Sequence, residues 1–256
     1  MKILFCSLSD RPHRSQAVLD HNIKYYTKHG YQYIHETNSL DNTRHPAWSK
    51  ILLLERELIN NPTIDYAVWV DDDIMILDHS KKIEDFINQN SFRNILICED
   101  ISDSWLMNSG FMICRNTIET IKFLRHIYDE ANPECHRAGV WEQQALHDYH
   151  LVDSTRITIM PHRTMQSTWH FYQKGDFAIH LLRAFGYSGP ASAWRRLPRD
   201  LKRDYYKNPK ATITKNIIYE FIELLSILPS YPQPQRRKVS DYSNGFPFKI
   251  FKINEN

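Results

Sequence analysis

Tyr66, Ala67, Val68, Trp69, Val70, Asp71, Asp72, Asp73 sets an apolar run directly before three carboxylates. An unbroken apolar run of this length suits a strand buried on both faces, and acids at its carboxyl end need a reason. Side chains alternate along an extended chain, so Asp71 and Asp73 point one way and Asp72 the other, the outer pair roughly 7 Å apart at Cα. A modest bend after Val70 brings both outer carboxylates to one hard cation. Without a cation the adjacent charges repel one another and their ionised forms lose solvation. A divalent metal, Mn2+ or Mg2+ with some oxygen ligands from a bound diphosphate, removes that cost.

Upstream, Ile3–Leu8 is an apolar run suited to a central strand, and it empties into the polar turn Ser9, Asp10, Arg11, Pro12. Val18, Leu19, Asn22, Ile23 and Tyr26 follow at helical spacing, with Gly30 placed to end that helix. Residues 31–35 form a second strand. Pro46 opens the next helix, which Asn60, Asn61 and Pro62 stop before strand Tyr66–Val70. The order β, α, β, α, β with short connections predicts a right-handed, largely parallel α/β sheet, with ligands beyond the carboxyl ends of its strands.

Downstream, a short helix around Ile83, Phe86 and Ile87 precedes strand 94–98 and the polar loop 99–105. Asn108, Ser109 and Gly110 are expected to precede strand 111–114, and Asn116 to cap the following helix. Residues 142–149 form another helix, and 157–160 and 177–179 are short strands. The sheet is complete near residue 190, which divides the chain into residues 1–190 and a basic, helical extension, 191–256, packed on the same domain. In that extension Arg195, Arg196, Arg199, Lys202, Arg203, Lys207 and Lys210 precede an apolar helix over 213–228. This segment offers peripheral contact with an anionic membrane, against the plainer reading of a solvated face and a core-packing helix.

The whole chain holds 32 Lys and Arg against 30 Asp and Glu, and a net charge of +2 excludes a globally basic nucleic-acid binder. Four cysteines without a CxxC pair are expected as reduced core thiols. With no signal-like segment and no run of apolar residues long enough to span a bilayer, the expectation is a cytoplasmic chain, in the Golgi lumen only where an anchor has been removed.

Several residues are candidates for chemistry, each beside a plainer role. His180 ends a strand and imidazole ligates Mn2+, although a hydrogen-bonded structural histidine is the ordinary case. Lys50 precedes the acid-bearing strand by one helix and can reach a phosphate or ribose, or lie along the surface. Arg183 can neutralise phosphate or form a salt bridge elsewhere. Ser7 on the first strand is a candidate donor-binding residue. Asn108, Ser109 and Gly110 permit close approach of a sugar, or make a turn. Glu142 and Gln143 offer hydrogen-bond partners near an anomeric carbon, or simply an acidic helix start favoured by the helix dipole.

In order, residues 22–31, then Pro46, Ala47, Trp48, Ser49, Lys50, then Trp69 and the aspartates resemble the galactosyl-, xylosyl- and mannosyltransferases of glycosyltransferase family 34. The likeness continues in Asn108, Ser109, Gly110, Phe111 with Arg115 and Asn116, in Glu142, Gln143, Ala145, Leu146, and in Gly175, Asp176, Phe177, Ile179, His180. The resemblance implies a GT-A fold, Rossmann-like, with a mixed, mostly parallel central sheet flanked by helices. It also implies a nucleotide-sugar donor, UDP-sugar ahead of GDP-mannose, and a glycan or other hydroxyl acceptor. Mn2+ would be held by Asp71, Asp73 and His180, with Asp72 turned toward the ribose and transfer retaining anomeric configuration. This chain departs from the family in the charged middle residue Asp72 and in Leu181, Leu182, Arg183, where glycines are expected.

In a retaining enzyme the departing phosphate takes the acceptor proton, and Glu142 or Gln143 orients the sugar. An inverting enzyme of the same fold needs a base, for which Asp103 or Glu142 is placed. A metal-dependent phosphohydrolase would use Asp71 and Asp73 as nucleophile and acid partner, but expects glycine and threonine soon after, where Ile74, Met75 and Ile76 stand. A non-catalytic sugar- or nucleotide-binding module would bind without turnover.

Overall fold

The structure, a computed structural model, describes residues 1–10, 12–100, 106–136, 141–181 and 215–227. Asp103, Arg183, the basic stretch 195–210 and the chain from 228 onward lie outside the described residues.

All residues of β1 (Ile3–Leu8) are buried because the strand sits inside a sheet with helices on both faces. It pairs in parallel with β2 (Gln32–Glu36) on one side and β3 (Tyr66–Val70) on the other. Beyond β3 lie β6 (Met107–Arg115), antiparallel to it, then β5 (Ile95–Glu99) and β7 (Ile157–Met160), giving the order β2-β1-β3-β6-β5-β7. Strand β6 alone runs against the others, so the sheet is mixed and mostly parallel, as expected.

Alternation splits the strands between two cores. Leu4, Cys6, Ala67, Trp69, Ile95 and Ile97 face α2 (Ser49–Asn60), α4 (Ile118–Asp129) and α5 (Trp141–Val152). Ile3, Phe5, Val68, Val70, Leu96 and Ile113 face α1 (Pro12–His29) and α3 (Ile83–Gln89). Helix α1 ends where sequence predicts: Gly30 takes φ +70°, Tyr31 N donates to Tyr26 O and Gly30 N to Thr27 O, the paired bonds of a Schellman stop. All four cysteines are buried and free, and burial pushes the thiols up, to about 11 at Cys98 and about 12 at Cys114.

A second sheet, which sequence periodicity does not separate from the first, contains β4 (Ile74–Ile76), β9 (Ala178–His180) and β8 (Ser167–Thr168) in the order β4-β9-β8. Antiparallel pairing sets Ile74 opposite His180. Behind it, Met75, Ile179 and Leu181 pack with Ile218, Phe221 and Ile222 of α6 (Lys215–Ile227). Among the described residues, no helix is long and apolar enough to cross a membrane.

Two local expectations are corrected. Thr117, not Asn116, caps α4, its hydroxyl accepting from Thr120 N, while Asn116 donates its amide to the carbonyls of Asn61 and Ile64. Asn108, Ser109 and Gly110 lie inside β6 rather than before it.

Candidate functional site

The aspartate triplet is a turn joining the two sheets. Asp71 N donates to Gly110 O at 2.8 Å, and Ile74 N closes back onto Asp71 O at 3.0 Å. Leu181 N donates to Asp73 O at 2.9 Å, fastening the exit of β9 to the same turn. One ligand atom each from Asp71, Asp73 and His180 lies within 4.8 Å of the others, and His180 Nε2 is 3.1 Å from Asp73 Oδ1. The middle carboxylate turns away: Asp72 Oδ2 accepts from Ser9 Oγ at 2.6 Å, and Ser15 Oγ donates to Ser9 Oγ at 2.7 Å. The structure thus separates Asp72 from the outer pair and brings His180 to it.

The donor set fits a divalent cation: two carboxylate oxygens and an imidazole, gathered at the end of a desolvated strand. His180 is buried, and its Nδ1 has no partner among the described residues. Burial opposes the imidazolium, but Asp73 and Asp71 outweigh it and raise the His180 pKa. Burial likewise pushes Asp71 up, with Asp73 adding to the effect and Lys50 opposing it. This is negative charge that protein groups only partly neutralise.

Lys50 adopts neither pose that its sequence position suggests. Only 3% exposed, its ammonium donates to Glu142 Oε1 at 2.7 Å, Ser109 O at 2.9 Å and Ser109 Oγ at 3.2 Å, and lies 3.1 Å from Asp71 Oδ1. Three N–H groups are shared among four protein acceptors, so Lys50 faces the protein and not an open phosphate site. Burial disfavours its charge, but the carboxylates of Asp71 and Glu142 more than compensate, and its pKa is raised. Glu142 is therefore more than an acidic helix start: one oxygen is bound by Lys50 and Ser109, and the other, Oε2, is buried without a partner.

The irregularity in β6 makes these contacts possible. Ile97 pairs with Met112 but Cys98 with Asn108, so β6 carries extra residues that bend it beside the triplet. Ser109 N donates to Gln143 Oε1, and Asn108 Oδ1 accepts from Gly110 N and Gln166 Nε2, all at 3.0 Å. Gly110 is required by the His180 ring rather than by a turn. A Cβ there would lie 2.7 Å from His180 Cε1, 2.8 Å from Ile74 Cδ1 and 2.9 Å from Asn108 Oδ1. Gly110→Ala is expected to displace the imidazole, costing about 1–3 kcal/mol by overpacking and weakening Mn2+ binding roughly tenfold or more. Denaturant titration and Mn2+ titration check both effects, and unchanged Mn2+ affinity would contradict the steric reading.

Ser7 lies on the β1 side of the turn, its Oγ 2.8 Å from His35 Nδ1, in a cleft shared with Asn22, Tyr26 and Asp72. Sequence inspection misses Ser9, Asp100 and Gln166. Asp100 Oδ2 accepts from Asn108 Nδ2 at 3.1 Å and Gln143 Nε2 at 3.3 Å. An acid just after strand β5 was the available signal, parallel to the triplet after β3; Gln166 carries none. Trp141, directly before Glu142, takes φ 47° and stacks on His45 with ring centroids 3.7 Å apart. A bulky residue held left-handed marks a constrained approach to Glu142.

Residues 6–122 match the sequence pattern of the galactosyl transferase GMA12/MNN10 family. The match runs from β1 into α4, taking in residues 48–50, the triplet and residues 108–110, and it ends before Glu142 and His180. Probable glycosyltransferase 2 of Oryza sativa, in subspecies indica and japonica alike, is 27% identical over 100 residues, 37% of this chain and only 20% of the relatives' length. Among solved structures, a glycosyltransferase involved in the glycosylation of the major capsid of PBCV-1 has a TM-score of 0.60 at 15% identity, covering 71% of this chain and 93% of that one. The glycosyltransferase GlyE of Streptococcus pneumoniae TIGR4 has a TM-score of 0.52 at 10% identity, covering 91% and 66%. At these identities the likeness is one of fold, and the fold is GT-A.

Proposed function

From a GT34-like chain with a GT-A fold, we propose that this protein is a metal-dependent transferase moving a hexose or pentose from a nucleoside-diphosphate sugar, preferably a UDP-sugar, to a glycan or other hydroxyl acceptor with retention. The observation that carries the reading is the convergence of Asp71, Asp73 and His180 at the joint between the sheets.

Asp71, Asp73 and His180 hold the cation, which when bound offsets the negative charge that develops on the departing diphosphate. Asp72, on the β1 side and held in place by the Ser9 hydroxyl, accepts hydrogen bonds from the ribose hydroxyls. Lys50 keeps Glu142 and Asp71 close despite their like charge. The unpartnered Glu142 Oε2 accepts from a sugar hydroxyl and, with Gln143, orients the donor sugar. The departing phosphate takes the acceptor's proton on the face it leaves, so no side chain has to act as general base.

The test is a screen of UDP- and GDP-sugars for release of nucleoside diphosphate by metal-free protein, with Mn2+ or EDTA. Release with Mn2+ that EDTA stops is expected, fastest with a UDP-sugar. Full turnover in EDTA overturns metal dependence, and an inverted product anomer, read by NMR, overturns retention.

A further inference from the structure

On the α1 face of the second sheet, away from the aspartate turn, two imidazoles and a carbonyl crowd together. His21 Nε2 lies 2.7 Å from Ile76 O, His79 Nε2 lies 3.1 Å from the same oxygen, and the two Nε2 atoms are 3.1 Å apart. With hydrogens on both nitrogens, two N–H groups face each other. With a hydrogen on only one, the bare nitrogen turns its lone pair toward the carbonyl's lone pairs. Neither arrangement satisfies all three contacts.

We propose that His21, His79 and the Ile76 carbonyl form a second cation site, separate from the aspartate centre, that takes a borderline transition metal such as Zn2+, Ni2+ or Cu2+. Three lone pairs converging on one ion remove the conflict. Ligand atoms about 2.1 Å from a common ion at tetrahedral or octahedral angles stand about 3.0–3.4 Å apart, close to the spacings here. Two imidazole nitrogens select these metals over Mg2+ or Ca2+, which prefer oxygen. Burial holds the His79 ring below its ordinary imidazolium range, leaving it neutral and able to ligate at neutral pH.

A further contact orients the His21 ring as metal ligands are usually oriented: Tyr219 Oη sits 2.7 Å from His21 Nδ1. His21 belongs to α1, Ile76 to β4 and Tyr219 to α6, so an ion here staples together three elements that meet behind the aspartate turn. His79 is half-buried, and solvent gives the remaining ligands and the route of entry.

Zinc titration of the full chain by calorimetry tests this, with Asp71→Asn/Asp73→Asn to silence the aspartate centre. One zinc per chain should still bind to that variant, more than tenfold more weakly after adding His79→Gln, and about tenfold more weakly with Tyr219→Phe. Equal binding after His79→Gln, or loss of all zinc binding in the aspartate variant, overturns the proposal. Should His79→Gln fail to fold, zinc-edge anomalous scattering from a soaked crystal decides: a peak between the two Nε2 atoms supports the site, and a peak confined to Asp71, Asp73 and His180 overturns it.

Discussion

Asp73→Ala is expected to lower Mn2+-dependent turnover by about 10²-fold or more while leaving stability within about 1 kcal/mol of the parent. The two halves of that expectation have different causes. Asp73 Oδ1 is 3.1 Å from His180 Nε2, so its removal deletes one ligand and loosens a second. Loss of an outer-sphere partner alone typically weakens metal binding 10–100-fold, which sets the lower bound. Stability should hardly change because Asp73 is 36% exposed and its charge raises the pKa of neighbouring Asp71 by like-charge repulsion. Removing it relieves that repulsion and gives up its contact with His180. Turnover comes from the nucleoside-diphosphate assay, Mn2+ affinity from electron paramagnetic resonance, and stability from urea unfolding. Unaltered Mn2+ affinity would remove Asp73 from the site.

Lys50→Met should be among the most destabilising single changes in the described chain, costing about 3–5 kcal/mol. The shape of the side chain is largely kept, but Glu142, 4% exposed, loses its cation and already has one oxygen without a partner. Asp71 loses the opposing positive charge while still facing Asp73. If the cost is an uncompensated buried charge, the double variant Lys50→Met/Glu142→Gln recovers at least about 1 kcal/mol of the single variant's loss. Lys50→Arg should not substitute, since a planar guanidinium cannot occupy a slot shaped for a compact ammonium. Urea titrations of the three variants check this. Equal stability of the single and double variants would place the cost in packing instead.

The elements legible in the sequence were those whose pattern follows from burial alone. Tyr66–Val70 is apolar throughout because both faces are covered, and α1 shows its buried stripe and its glycine stop. The direction of β6 was not legible, since an apolar strand reads alike in either sense. Asn108, Ser109 and Gly110 looked like a turn because small polar residues are poor strand formers, yet pairing of β6 with β5 at Met107 and Asn108, in a buried strand, overrides that preference. The inward pose of Lys50 was hidden because Glu142 stands 92 residues away and only the folded sheet makes them neighbours. The triplet was legible as acids ending an apolar run, whereas His180 was singled out through motif order; its position at a strand end alone made a hydrogen-bonded structural histidine the ordinary case.

The aspartate turn is also a covalent joint between the two sheets: Asp71 is hydrogen-bonded to β6 of the large sheet, and Asp73 to the exit of β9 in the small one. A ligand gripping both carboxylates and His180 would therefore clamp two layers of the molecule as well as fill a site. Its binding free energy then opposes separation of the sheets, so occupancy sets how tightly they stay closed. The protein should become harder to unfold, and slower to be cut by proteases between residues 71 and 74, in proportion to the logarithm of ligand concentration above its dissociation constant.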